Sequence, residues 1–471
     1  MGESVVDLDS LIDGQKVGRA TAVFLLVATL AMLADGFDLS AIGFVAPELV
    51  KQWHVAPAAL APVFSAGIFG LLVGAPLLGF VGDRFGRKTA LLAGLGIVSV
   101  FTLATMAARS LPQFVVLRFL TGIGLGGVIP NVIALTAEAA PRRLRGLFIV
   151  IVNFGVPAGI AIPGLTAAAL VPRFGWPALL LVGGLLPLLA AMLIALLVPE
   201  SIKFLAQRGD RDDEVKRLAI RLQPSRPLAA DWRVPAARLP ATVSGSPKGL
   251  FADGLGAITP LLWLALAANQ MANFFSLSWL PTLLQSLGAS TAQAGVNASL
   301  FSIGGIAGGV CLTFVVDRLG VIPMVALFLL GIPLMAAIGT PDLPPALFAA
   351  VIAGAGFCVT GINFNMSATL GTIYPTSVRS LGTGWAQAAG RIGSLAAPII
   401  GGALLGMHLP TQDLLLAPAA ALAVGAVAAG VLAVLCVRRF EGCRLDERPG
   451  APRAHDAAAP HGTAQLNATL P

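Results

Sequence analysis

Asp35, Asp38, Arg118 and Arg391 each fall inside a long apolar run, away from its ends. An ionised side chain at the centre of a bilayer costs at least about 2.5–3.5 kcal/mol on insertion scales, so such residues persist where they have partners and a task. The chemistry open to this set is the handling of protons and anions. An aspartate can take up and release a proton, and the planar guanidinium of arginine holds a carboxylate through two parallel hydrogen bonds. Fully ionised, the four charges sum to zero. An organic anion entering beside Arg391 leaves a net negative charge in low-dielectric surroundings, and one proton on Asp35 or Asp38 restores neutrality. How near Arg118 stands sets how readily the aspartates take that proton. The competing reading is that Asp35, Asp38 and Arg118 only staple two helices together.

The elements that must position these residues follow from composition. Of 471 residues, 56% are hydrophobic and only 11% charged, with a mean hydropathy of +0.87. Soluble domains carry roughly 25% charged residues, so lipid is the expected solvent. The net charge of +7 resides in short loops between apolar runs, which is a topology signal and not a phosphate-binding face, so no nucleic-acid partner is expected. A span needs about 20 apolar residues. Twelve are expected, at 20–46, 58–81, 88–108, 111–139, 144–170, 175–198, 257–286, 291–316, 321–340, 343–372, 379–407 and 412–437. With the N-terminus in the cytoplasm, the outer connections hold only Lys51, Arg109 and Arg173, and nearly all other Lys and Arg residues lie inside. Both termini are therefore expected to be cytoplasmic. Glu3, Asp7, Asp9 and Asp13 argue against a cleavable leader. No disulfide is expected, because Cys311 and Cys358 fall in apolar runs and Cys436 and Cys443 near the cytoplasmic end.

The expected organisation is a cytoplasmic segment (1–19), a six-helix half (20–198), a cytoplasmic linker (199–256), a second six-helix half (257–437) and a disordered cytoplasmic tail (438–471). An amphipathic helix is expected in the linker around Asp212–Leu222. The halves repeat faintly: Asp83-Arg84-Phe85-Gly86 recurs as Asp317-Arg318-Leu319-Gly320, and Pro141 and Arg145 recur as Pro375 and Arg379, all at an offset of 234. In duplicated carriers the site lies between the halves near the midplane. The intramembrane charges do not repeat, since the positions 234 away hold Asn269, Ala272, Ile352 and Pro157. A rise of ~1.5 Å per residue puts Asp38 about 12 Å and Arg118 about 10 Å from the outer ends of their helices, and Arg391 about 18 Å along its own. Asp35 is one turn deeper than Asp38 and on the same face, so contact between Arg118 and an aspartate is expected.

These motifs resemble the major facilitator superfamily. Gly79-x-x-x-Asp83-Arg84-Phe85-Gly86-Arg87-Lys88 is similar to its loop between helices two and three, and Pro199-Glu200-Ser201 after the sixth span fits as well. Within the superfamily the chain resembles the aromatic acid:proton symporters, through Ala34-Asp35-Gly36-Phe37-Asp38, Arg118-Phe119-Leu120-Thr121-Gly122, Pro130-Asn131 with Glu138, Ser278-Trp279-Leu280-Pro281-Thr282-Leu283, Tyr374-Pro375-Thr376 with Arg379 and Gly382, and Gly390-Arg391-Ile392-Gly393. The likeness covers roughly residues 5–437. It departs in one respect: no histidine lies within a second-half span, so no histidine relay is assumed.

The resemblance implies an all-α membrane protein, twelve helices in two six-helix halves, that imports a small aromatic carboxylate with protons across a bacterial inner membrane as a monomer. No cofactor is implied, because the proton gradient supplies the energy. It implies proton coupling at Asp35, Asp38 and Arg118. From the residues themselves, substrate binding is expected at Arg391 as anchor, with Phe37, Phe274, Phe275, Phe364 or Trp385 to stack on a ring and Asn269, Asn363 or Gln387 to read a hydroxyl. A gate on the cytoplasmic side is implied at Gly79, Asp83, Arg84, Gly86 and Arg87 with Glu138, Arg142 and Arg145, Asp83 standing at the start of the third helix. Trp279 reads as an interfacial anchor. A carrier of another organic anion, a sugar-like solute or an effluxed drug stays open on the same scaffold; a channel and a membrane enzyme are less well supported, as the charges form no ring and no nucleophile–base pair stands out. Gly122-x-Gly124-x-x-Gly127 matches a dinucleotide fingerprint by letter but lies inside a span, where small residues serve helix packing.

Overall fold

The computed structural model describes residues 8–15, 17–208, 212–222, 247–252, 255–313, 315, 320–340, 343–374, 378–407 and 409–440. Among them the fold is all helix and turn. The helices are α1 (Leu8–Asp13), α2 (Arg19–Trp53), α3 (Ala61–Phe85), α4 (Arg87–Thr105), α5 (Leu111–Ala139), α6 (Arg145–Asn153), α7 (Gly155–Phe174), α8 (Pro177–Leu197), α9 (Ile202–Arg208), α10 (Asp212–Leu222), α11 (Ile258–Ser286), α12 (Thr291–Thr313), α13 (Ile322–Ala337), α14 (Pro345–Ile373), α15 (Arg379–Gly406), α16 (Thr411–Leu414) and α17 (Leu416–Phe440).

Ten segments are long and apolar enough to cross a bilayer, α6 with α7 and α16 with α17 each counting as one. Two more helices complete the twelve. The apolar α13 has 16 residues and spans about 24 Å, short of a full bilayer core. The 29-residue α11 carries Asn269, Gln270, Asn273, Ser276 and Ser278 along its middle, which dilutes its apolar character. The expected amphipathic linker helix is present as α10. The remainder of the linker between 223 and 246, the repeat residues Asp317–Leu319 and Pro375, and the tail from 441 lie outside the described residues; 438–440 continue α17.

Packing within each half follows the same plan. In the first half α3 packs on α5, α2 on α7 and α8, and α4 on α5 and α8; in the second α12 packs on α14, α11 on α15 and α17, and α13 on α14 and α17. Between halves the seams are α7 with α12, α3 with α15, and α2 with α11. The 234-residue offset converts the first of these into the second and the third into itself, so the contact plan is two-fold.

Among the described residues, three side-chain hydrogen bonds join the halves, two on the side away from the N-terminus and one nearer mid-depth. Lys51 Nζ donates to Gln285 Oε1 (2.9 Å), Thr291 Oγ1 to Glu48 Oε1 (3.0 Å) and Ser299 Oγ to the Ala161 carbonyl (2.9 Å). Close backbone approaches reinforce them, Gly43 against the Leu277 carbonyl and Gly402 against Ala58 and Ala61. Toward the N-terminal side, a Cβ on Gly79 of α3 or Gly384 of α15 would meet nothing within 4 Å, and Trp385 is 48% exposed. The halves are therefore fastened to each other on the far side, while the surface at Gly79, Gly384 and Trp385 is open. Gly122, Gly124 and Gly127 serve packing, as expected: a side chain would strike Gly67 backbone, Gly94 backbone and Leu78 respectively. Trp279 departs from expectation. It is not an interfacial anchor but fully buried at the seam, 5.1 Å from the Phe64 ring and pressed on Gly401.

Candidate carrier site

Three helices of the first half converge on Asp38. Arg118 of α5 holds it bidentately, Nη1 to Oδ1 at 3.0 Å and Nη2 to Oδ2 at 2.6 Å, and Thr102 of α4 donates its hydroxyl to Oδ1 at 3.1 Å. The Asp38 and Arg118 side chains are 1% and 5% exposed. Gly67 of α3 leaves room for the guanidinium, within van der Waals reach of where a Cβ would stand. A charge-assisted fork with a third donor satisfies the carboxylate. The expected contact between Arg118 and an aspartate is thus present, and Asp38 is the partner. Thr102 has no sequence signal beyond being a hydroxyl in an apolar run.

Asp35 is in a different state. It is 1% exposed, and neither carboxylate oxygen has a hydrogen-bond partner. The charges of Asp38 and Arg391 act on it electrostatically. Arg391 lies half-buried on α15 and, among the described residues, makes no ion pair within 4 Å. Its height on α15 is fixed by two small neighbours: a Cβ on Gly390 would meet Leu266 and Gln270, and one on Gly393 the Ala267 carbonyl, so α15 and α11 lie flush. Asn269 of α11 is 0% exposed with both amide atoms unpartnered, and Gln270 Oε1 next to it is also unpartnered.

The aromatic candidates separate. Phe37 is fully buried with its ring against Gly183 of α8, so it is packing between helices and lines no opening, contrary to the expectation of ring stacking on a substrate. Phe364 is half-buried with its ring over Gly309 of α12. Trp385 stacks on Trp263 at 5.9 Å and 19°, about two turns into α15 from its N-terminal end and well short of Arg391.

Between α3 and α4, Arg87 is the hub. Its Nη1 reaches Asp83 Oδ1 and the Gly82 carbonyl, both at 2.7 Å, and its Nε lies 3.4 Å from Glu138 Oε1. Arg84 lies over the Phe85 ring at 5.8 Å. Asp83 is not at the start of the third span, as expected, but in the last turn of α3. The carboxylate at the start of α4 is Glu200, which accepts from the Lys88 and Ser201 amides, each at 3.0 Å. That is the favourable place for an anion, where free amides and the helix dipole coincide. Gly86, with φ of 111°, makes the turn in the left-handed region, and a side chain there would strike Glu200. Arg142 and Arg145 do not join Glu138. The Arg142 amide donates to Asp13 Oδ1 at 2.7 Å and its guanidinium lies 3.6 Å from Oδ2, while Arg145 Nε is buried without a partner. Gln15 adds a bond to the Ala139 carbonyl at 2.6 Å, and α1 packs through Leu8, Leu11 and Ile12 on α9 and α10. This N-terminal strap carries no motif that sequence reading recognises.

Two six-helix halves packed on each other, with Asp35 lacking a hydrogen-bond partner and Arg391 lacking an ion pair among the described residues, are the architecture of a multi-pass membrane carrier. The family profile described as Major Facilitator Superfamily matches residues 28–252 and 262–465, and the chain belongs to that superfamily. It is 34% identical to the 4-hydroxybenzoate transporter PcaK of Acinetobacter baylyi, covering 89% of this chain and 93% of the relative. It is 35% identical to a gallate transporter of Pseudomonas putida (91% and 96% covered) and 30% identical to the 3-(3-hydroxy-phenyl)propionate transporter of Escherichia coli (86% and 92%). In fold it is similar to a bacterial homologue of the human lysosomal transporter Spinster, with a TM-score of 0.69 at 17% identity (93% and 100% covered), and to the xylose transporter XylE of E. coli, 0.66 at 18% (91% and 98%). The protein is a transporter and not an enzyme, and its relatives carry aromatic acids.

Proposed function

We propose that the protein imports a small aromatic carboxylate together with protons by alternating access in a bacterial inner membrane, both termini facing the cytoplasm. The observation that carries this reading is the contrast between two neighbouring carboxylates. Asp38 is fully satisfied by Arg118 and Thr102, whereas Asp35 is buried with no partner and Arg391 is left without an ion pair. An ionised carboxylate with no donor in such surroundings is expensive to hold, and a proton removes the expense. Arg391 then receives the substrate carboxylate through its fork. Asp35 in the first half carries the proton, Arg391 in the second carries the anion, and the loaded centre is neutral while the halves reorient. Asp38 and Arg118 hold α2 against α5 and fix the azimuth of Asp35.

Glu200, Asp83, Arg87 and Glu138 tie the cytoplasmic ends of the first half into a unit that moves as a body. One chain supplies every group the cycle needs, so it works as a monomer in the lipid bilayer. Uptake of radiolabelled benzoate, 4-hydroxybenzoate and 3-phenylpropionate by expressing cells, with and without a protonophore, tests this. Saturable uptake of at least one acid, abolished by the protonophore, is the expected result. Uptake of none, or uptake indifferent to a collapsed pH gradient, refutes it.

A further inference from the structure

The hydrogen bond from Lys51 to Gln285 joins residues 234 positions apart, the repeat offset itself, and so does the approach of Gly43 to the Leu277 carbonyl. A residue touches its own counterpart only near the two-fold axis that relates the halves. The axis therefore runs along the crossing of α2 and α11. From Gly43 to Lys51 it advances eight residues, about 12 Å, toward the far mouth. In the proposed orientation that mouth is the outer one, and in a carrier of two repeats the pathway lies between them. Lys51 and Gln285 stand across its opening.

Local structure fixes each partner at that opening. The outer end of α2 is held by Gln52, which accepts from Trp176 Nε1 at 2.6 Å, and by Trp53, whose ring packs edge-on with Phe114 and Trp176. Glu48 and Lys51, three residues apart, share a face of that rigid end and pair at 3.1 Å. Across the seam, Ser290-Thr291-Ala292-Gln293 is a capping box: the Ser290 amide donates to Gln293 Oε1 (3.0 Å) and the Gln293 amide to Ser290 Oγ (3.2 Å). Because Ser290 caps α12, the Thr291 hydroxyl is spare, and it donates to Glu48 Oε1 at 3.0 Å. One carboxylate oxygen thus takes a donor from each half, and its lysine crosses the seam again to Gln285. The bond from Thr291 to Glu48 has no repeat copy. Their counterparts are Pro57, which has no side-chain donor, and Thr282, whose hydroxyl is unpartnered.

A solute arriving at this mouth enters only after these bonds are broken, so each of them counts against the state open to the outside. We propose that Glu48, bridging Lys51 on its own helix and Thr291 of the second half, is an outer latch that sets the apparent affinity for external substrate by setting how often the mouth opens. This rests on the reading that the far mouth is the side from which substrate enters. The latch acts through population alone. An apparent dissociation constant is the intrinsic one divided by the fraction of carriers competent to bind. Weakening the latch therefore lowers KM for external substrate, the opposite of what losing a binding group does. A hydrogen bond shifts such an equilibrium by about two- to tenfold, and an ion pair as exposed as this one, with the Lys51 side chain 57% open to solvent, by about fivefold at most.

Two measurements on wild type, Glu48→Ala, Thr291→Val and the double variant test the proposal. Initial uptake by expressing cells of labelled 4-hydroxybenzoate, or of the other acid in the panel above that wild type takes up, gives the external KM. Glu48→Ala is expected to lower it about threefold or more and Thr291→Val about twofold, with the double variant no lower than Glu48→Ala because both act through one bond. The second measurement places a cysteine at Ser276, in a background without the four native cysteines. Ser276 is 3% exposed and lines a small cavity in the seam with Ser40 and Ile160 of the first half, about 13 Å below Gln285, so labelling there needs the mouth to open. An impermeant maleimide is expected to label it at least about threefold faster in Glu48→Ala. Should Glu48→Ala fail to reach the membrane, Thr291→Val, which leaves both charges in place, decides with the same sign. An external KM that is unchanged or higher, or labelling at the wild-type rate, overturns the latch and leaves the carrier reading standing. If wild type takes up no acid of the panel, the carrier reading falls, and the labelling alone decides the latch.

Discussion

Replacing Asp35 by asparagine separates accumulation from binding, because the carboxylate makes no hydrogen bond that the amide would lose. Asp35 is 1% exposed and makes no hydrogen bond, so Asp35→Asn forfeits no bond and nearly preserves volume. In the proposed cycle the variant mimics a permanently protonated carrier. It accepts the anion at Arg391, becomes neutral and reorients, but carries no proton with it. One proton moving with one monovalent carboxylate is electroneutral, and each unit of pH gradient then supports about tenfold accumulation, or about 1.4 kcal/mol. Under an inward gradient of two units, wild-type proteoliposomes are expected to reach about a hundredfold accumulation and Asp35→Asn about none, while both exchange internal for external labelled acid at similar rates. Counterflow and gradient-driven uptake measured on the same preparation check this. Wild-type accumulation by Asp35→Asn removes Asp35 as the proton site. Loss of both activities from normally folded protein makes Asp35 a binding group and refutes the division of labour with Arg391.

Asp38→Asn is expected to act on stability instead. It breaks a buried bidentate pair and strands Arg118, a loss of about 3–5 kcal/mol that lowers membrane abundance and melting temperature, whereas Asp35→Asn leaves both near wild type; thermal-shift chromatography compares them. Arg391→Ala is expected to raise KM at least about tenfold, since a hydrogen bond to a charged group contributes roughly 1.5–3 kcal/mol, and Arg391→Lys to recover only part, as a point charge lacks the fork; unaltered KM in Arg391→Ala refutes the anchor. Gly401→Leu drives a side chain into the Trp279 indole and is expected to loosen the far-side seam; faster labelling of a cysteine placed at Ala58 by an impermeant maleimide shows it, and an unchanged rate speaks against Trp279 as a fastening of that seam.

Sequence reading recovers what hydropathy encodes. Each of the twelve expected spans overlaps a described helix or a broken pair over most of its length, and α10 covers the expected amphipathic stretch. Azimuth is where it runs out. Asp35 and Asp38 share a face at three-residue spacing, and choosing the partner of Arg118 needs the rotation of α2 against α5. Phe37 passes for a site residue because it lies between two aspartates, yet one residue is ~100°, enough to turn it into the α8 seam. Trp279 reads as interfacial by height alone, since nothing in the local pattern reports that Phe64 and Gly401 close over it. Glu200 and Lys88 are 112 positions apart, so the motif containing Glu200 is legible while the capping bond it makes is not. Asp83 is misplaced because the break between α3 and α4 falls at Gly86, not before Asp83.

The scaffold obeys the two-fold repeat and the ionisable groups do not, and in the proposed cycle that mismatch is what couples transport to protons. Within the first half, Asp38 and Arg118 answer each other across α2 and α5, so their attraction is the same whichever way the two halves are tilted. Asp35 and Arg391 belong to opposite halves, and their interaction crosses the seam between them. A carboxylate arriving at Arg391 competes with Asp35 for the same positive charge. Binding the anion therefore makes the ionised form of Asp35 harder to hold, and losing the proton makes the anion harder to hold. This reciprocity is required of any two ligands that act on one set of charges, and it needs no contact between proton and substrate. Had the repeat preserved an aspartate at position 269, the second half would hold a carboxylate of its own and the charges would no longer sum to zero. The asparagine there carries no charge, so the balance of the set rests on Asp35, Asp38, Arg118 and Arg391.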